Sequence, residues 1–146
     1  MVVSLRTVRT TLMSHMLSTG HFTGGVSGGE PSEPVNGLHG SVWHSDVGFD
    51  DAQTLSKTVE TRTLIVRFYV EHFNDKRGEI EDRLDDAVSD FMSNVWGDYT
   101  LGGIVRNVHP TGTGVRYEYL QLAQTWYRTV TITLACIVDA SATYSP

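Results

Sequence analysis

Apolar and polar residues alternate most regularly toward the C-terminal end of the chain. Between Trp126 and Val138, the residues Val130, Ile132, Leu134, Cys136 and Val138 fall on one side, and Thr129, Thr131 and Thr133 on the other. Successive side chains of a strand point to opposite faces, so this pattern predicts a core face backed by a polar, strand-favouring one. Residues 117–122 supply the partner strand, with a hairpin turn around Ala123 to Thr125. Trp126 shares the side of Val130 and is assigned to the core. Tyr127 lies on the opposite side and is the candidate subunit or partner contact. Val59 to Glu71 alternates in the same way, with Leu64, Val66, Phe68 and Val70 opposed to Thr61, Thr63, Arg67 and Tyr69. Weaker strand segments are Ser41–His44 and Leu101–Val108, the latter with Gly102-Gly103 allowing a bulge. A short strand fits Phe22–Val26.

Two segments change to a helical period. Leu5, Val8, Leu12 and Met16 make one apolar stripe, which Gly20 ends. Ile80, Leu84, Ala87, Val88, Phe91 and Val95 make a broader one over about Glu79–Trp96, ended by Gly97. Acidic residues in its first turn suit the helix dipole. Residues 20–40 are rich in glycine, carry Pro31 and Pro34, and read as a long loop. Residues 45–57 and 109–116 read as connections, and the tail 140–146 as flexible. The expected fold is α+β: a mainly antiparallel sheet with two amphipathic helices packed on one face, a two-layer sandwich forming a single domain over residues 1–146.

At 146 residues the chain is long enough to bury about 70% of its unfolded surface without a staple. Its single cysteine, Cys136, excludes an internal disulfide and reads as a buried structural thiol. A net charge of −6 argues against broad attraction to nucleic acid or anionic membrane. The N-terminal stripe lacks the pattern of a signal peptide, and no apolar run reaches the length of a membrane span.

Motifs with chemical content are sparse. Gly25-Val-Ser27-Gly-Gly29 matches the G-x-S-x-G pattern, but that mechanism needs a helix directly after the serine, and Glu30-Pro31-Ser-Glu-Pro34 opposes one. Of six histidines, only His44 has an acidic neighbour, Asp46, at the spacing that shares a strand face. Two ligands fall short of a stable metal site. Glu79, Glu81, Asp82, Asp85 and Asp86 read as the solvent face of the second helix. No phosphate-cradling glycine motif is present. The expectation is no catalytic residue, no metal and no cofactor.

The order and spacing of several segments carry a resemblance. A helix comes first, then a glycine-rich turn to Gly29-Glu30-Pro31, then the strand Leu64-Ile-Val-Arg-Phe-Tyr69. An acidic-start helix ends near Gly97-Asp98 and leads to Tyr99-Thr-Leu-Gly-Gly103 and Val105-Arg-Asn-Val108. Last come Tyr119-Leu, Tyr127-Arg-Thr-Val-Thr-Ile-Thr-Leu134 and Ile137-Val-Asp139. Over roughly residues 3–139 the chain resembles the tail terminator (tail completion) proteins of long-tailed bacteriophages. The resemblance implies a homohexameric ring at the head-proximal end of the tail tube. Such a ring stops tail polymerisation and provides the joint to the head connector. Its implied partners are other copies of itself, the major tail tube protein and the head-side connector or stopper protein. It would enclose the passing genomic DNA without sequence-specific binding, and it would reside in the virion after assembly in the host cytoplasm, with no membrane partner. Three rival readings stand beside it: a neck or head-closure connector protein, a small serine hydrolase using Ser27, and a ligand or metal module using His44 and Asp46.

Overall fold

A computed structural model describes residues 4–32, 36–49, 57–71 and 77–141. In chain order they form α1 (Leu5–Leu17), β1 (Val26–Ser27), β2 (His39–Phe49), β3 (Lys57–Glu71), α2 (Arg77–Gly97), β4 (Asn107–Leu122) and β5 (Thr125–Ser141). The strands make one sheet in the order β1-β2-β3-β5-β4. Every pairing is antiparallel except the short parallel contact of β1 with β2. The fold is α+β.

The central pair, β3 with β5, sets the frame. Leu64 lies opposite Leu134, Val66 opposite Ile132 and Phe68 opposite Val130, all fully buried. Val8, Leu12 and Met16 of α1 and Ile80, Leu84, Ala87, Phe91 and Val95 of α2 join these residues in one apolar cluster. Both helices therefore pack on one face of the sheet. Phe68 meets Phe22 and Phe91 edge-on, at centroid distances of 4.8 and 5.7 Å. Where α1 crosses β2 the sheet carries Gly40, because a Cβ there would stand 2.7 Å from the Met16 sulfur. Cys136 lies in this core, and burial pushes its thiol up to about 12.

Five segments depart from the sequence pattern. The expected strand at 101–108 is instead a run of turns, and pairing starts only at Asn107. Leu101, Gly102 and Gly103 all have positive φ, and three left-handed residues in succession cannot lie in a strand. The Asp98 carboxylate accepts the Gly102 N–H at 2.8 Å. That bond comes first among the causes, with His15, holding the carboxyl below its ordinary range. The expected loop at 109–116 belongs to β4. A register shift between Pro110 and Val115 absorbs Gly112 and Gly114, and Pro110 is tolerated because β4 is an edge strand. The connection expected at 45–57 begins later, since β2 continues to Phe49. Near the C-terminus, β5 runs to Ser141, so the expected tail loses its first two residues to the sheet; 142–146 lie outside the described residues. Within the expected loop 20–40, Val26 and Ser27 pair with Gly40 and Ser41. The β4–β5 turn is tight, Ala123 and Gln124 both being left-handed between the paired Leu122 and Thr125.

Leu134 is fully buried at the centre of the framework. Leu134→Ala is expected to cost about 2–5 kcal/mol of stability, read as a lower denaturant midpoint with unchanged slope.

Candidate functional site

The sheet face opposite the helices holds a connected group of polar side chains. After β1 the chain turns at Gly28 and Gly29 and passes over this face. Arg67 on β3 reaches up to the Glu30 carboxylate at 2.5 Å, and the Tyr69 hydroxyl donates to the same carboxylate at 3.3 Å. Arg67 also donates to Thr131 on β5 at 2.9 Å and stacks 5.3 Å above the Trp43 ring. Residues 28–32 thus form a strap, clasped by one ion pair over a threonine-rich surface. Burial, followed by the charge of Glu30, raises the Tyr69 phenol above its ordinary range.

Beneath the strap, β1 and β2 bring Ser27 and His39 together. The Ser27 Oγ lies 2.9 Å from His39 Nε2, 2.9 Å from the Gly29 carbonyl and 3.1 Å from the Ser41 hydroxyl. His39 Nδ1 lies 3.0 Å from the Gly24 carbonyl oxygen. A carbonyl only accepts, so Nδ1 carries a proton, and a neutral His39 turns Nε2 toward Ser27 as an acceptor. This is the order nucleophile, base, orienting acceptor that activates a serine. The Gly29 carbonyl competes for the same hydroxyl proton. The described residues that directly follow Ser27, 28–32, are not helical, so the strand-to-helix elbow of the G-x-S-x-G pattern is missing. His39 carried no local sequence signal, because it stands beside Ser27 only through the pairing of β1 with β2.

Tyr127 requires a correction. Its face was read properly as the one opposite Val130, but the side chain is 0% exposed. It packs edge-on against Tyr69 at 6.4 Å. The candidate contact is therefore an interior residue, held in a small second core on the strap side of the sheet. Trp126 is the converse case: it lies on the helix side as read, yet it is 52% exposed.

His44 and Asp46 do not share a face. The register shifts at Ser45, so His44 pairs with Leu64 on the helix side while Asp46 pairs with Thr63 on the other. Burial and the neighbouring Arg62 and Arg9 charges lower the His44 pKa, which disfavours a positive imidazole there. Among the described residues no group of three or more His, Cys, Asp or Glu is placed to hold a metal. The other described histidines have single partners: His15 with Asp98 at 2.9 Å, His21 with Asp90 at 2.6 Å and His109 with Asn107 at 2.9 Å. His72 lies outside the described residues. The His15 contact ties the last turn of α1 to the residue after α2, and the His21 contact ties the chain just beyond α1 to the body of α2.

In the acidic cluster of α2, Glu79, Asp82, Asp85 and Asp86 are exposed as expected, and Glu81 is half-buried. Glu81 receives Arg128 of β5 at 2.7 Å, and Asp85 accepts the Tyr117 hydroxyl. Arg128 also stacks on Tyr117 and Tyr119. Sequence reasoning missed a buried pair on the helix side, Arg62 with Glu60 at 2.8 Å. Both residues fall in the alternation of β3, but nothing local marks their positions as covered.

No family model matches the chain, and no curated protein matches it. No helix among the described residues is long and apolar enough to cross a membrane.

Because Tyr127 is interior, Tyr127→Ala is expected to act on folding, with a loss of about 3–5 kcal/mol in chemical denaturation. A stability equal to that of the parent would return Tyr127 to the surface.

Proposed function

We propose that this protein is a structural virion protein that forms a ring at the head-proximal end of a phage tail tube. There it stops tail polymerisation and provides the joint to the head connector. The observation that carries the reading is the architecture itself: a mainly antiparallel sheet with both helices on one face, built from the segments that resemble tail terminators, in their order. The long β4–β5 hairpin and the exposed aromatic side chains of Phe49, Trp96, Tyr99, Tyr119 and Trp126 support a protein that works through contacts. On this reading its partners are further copies of itself, the tail tube protein and a head-side connector. The acidic balance of the chain suits a ring through which DNA passes without adhering.

Electron microscopy of particles from a phage lacking this gene tests the reading. Overlong, irregular tubes beside DNA-filled heads are the expected outcome. Tails of normal length beside leaking heads would assign the protein to the neck, and ordinary infectious particles would remove it from assembly altogether.

One observation favours a second reading, hydrolysis of an ester or amide: the contact of Ser27 with His39. In that reaction the Ser27 oxygen bonds to the acyl carbon, its proton passes to His39 Nε2 and then to the leaving group, and water releases the acyl group. The purified protein would be covalently labelled by a fluorophosphonate, and Ser27→Ala would abolish labelling while the circular dichroism stays that of the folded parent. An unlabelled wild-type protein would exclude this reading.

A further inference from the structure

Among the described residues the sheet has two edges with free strand, and they differ. On one side β4 is the outermost of the described strands over its whole length. On the other side β1 covers β2 only at Gly40 and Ser41, so Val42–Phe49 is open among the described residues. Edge strands that remain solitary are guarded by proline, bulges or inward charges. In β4 such features are confined to one stretch, Pro110 and the irregularity up to Val115. From Val115 to Leu122 the strand pairs with β5 without interruption, contains no proline and no lysine, and exposes Val115, Tyr117 and Tyr119, its two charges, Arg116 and Glu118, pairing with each other at 2.9 Å. In β2 the irregularity at Ser45 is followed by an open end of Asp46, Val47, Gly48 and Phe49, with Phe49 68% exposed.

We propose that β4 of one copy pairs with β2 of the next, so that a single head-to-tail contact joins the copies into one continuous sheet. Strand direction permits it. The pairs β2–β3, β3–β5 and β5–β4 are each antiparallel, so β4 runs opposite to β2. A second copy, set beside the first with its helices on the same side, therefore meets β4 with an antiparallel β2, and the alternation of the sheet continues. Side-chain facing agrees with one register. Arg116 pairs with Thr131 and Asp46 with Thr63, so both lie on the strap side. Val115 pairs with Ile132 and Val47 with Arg62, so both lie on the helix side. Setting Arg116 opposite Asp46 of the neighbour places Val115 opposite its Val47. One cross-strand pair is then of opposite charge and the next is β-branched with β-branched, the combinations that stabilise sheets. The occupant is a second copy because its two edges complement each other in direction, charge and apolar facing. A two-fold pairing of β4 with β4 would leave the β2 edge open, whereas the head-to-tail contact covers both. Repeated head-to-tail contacts give a closed ring when the rotation between copies closes.

The inference rests on the ring reading above and is tested separately from it. Val115→Lys puts a charge opposite Val47 and disables the β4 edge. Asp46→Lys sets like charges opposite each other and disables the β2 edge. Size-exclusion chromatography with light scattering should show closed rings for the wild-type protein and monomers for each variant, with the parent's circular dichroism. An equimolar mixture of the two variants should give dimers and nothing larger, because each retains one intact and complementary edge. Wild-type protein that stays monomeric at near-millimolar concentration would overturn the proposal. So would rings that survive Asp46→Lys, or a mixture that stays monomeric. Rings insensitive to Asp46→Lys would sink the edge pairing alone, since the gene-deletion phenotype reports on the ring's role independently.

Discussion

The rest of the structure depends on the antiparallel register of β3 with β5. It aligns Leu64 with Leu134, Val66 with Ile132 and Phe68 with Val130, giving a dry central stripe on which both helices close. Burial of that apolar area is the main favourable term in the fold. Sliding β5 by one residue would turn Thr129, Thr131 and Thr133 into this core and expose its apolar residues, so the register is strongly specified. Helix placement follows from the same stripe. The end of α1 reaches the end of α2 through His15 with Asp98 and through Asn94, whose amide donates to the His15 carbonyl at 3.0 Å.

The second face is organised by a different balance. Tyr69, Tyr127 and Thr129 are buried there, on the face opposite the two described helices. Their cover includes the strap, held by the pairing of Arg67 with Glu30 and by the contacts of Ser27 and His39 beneath it. A charge pair at this half-exposed position contributes modestly alone. Here it is joined by the Tyr69 hydroxyl and the Trp43 ring, so several weak contacts act on one short segment. One glycine-rich segment thus supplies the contact of Glu30 with Tyr69, the Ser27–His39 contact and part of the cover of this sheet face.

Assembly and fold meet at the sheet edges. Backbone groups at an edge need partners, and natural proteins either guard an edge or use it. Guarding features occupy β4 from Pro110 to the irregularity before Val115, and the continuous segment beyond them faces solvent. The tight turn at Ala123 and Gln124 holds that segment in line with β5. A head-to-tail pairing of edges would use the same antiparallel hydrogen bonding that organises the chain, so the ring and the fold would share one interaction.

Much of this was legible in the chain's periodicities. A period of two identified the core faces of β3 and β5, and a period near 3.6 identified α1 and α2, because covalent geometry alone dictates how side chains alternate along each element. The α+β class followed from those patterns. The cover above each face was not legible. Alternation states which residues share a side, but it does not state how far a helix or strap extends over that side. Tyr127 is therefore buried and Trp126 exposed, each on the side that was read for it. Local backbone irregularities were equally hidden. One extra residue at Ser45 sends His44 and Asp46 to opposite faces, and three left-handed residues replace a strand with turns after Asp98. The contact of Ser27 with His39 and the placement of Glu30 over Tyr69 were decided by tertiary structure alone, since they join segments whose proximity arises only when the sheet forms.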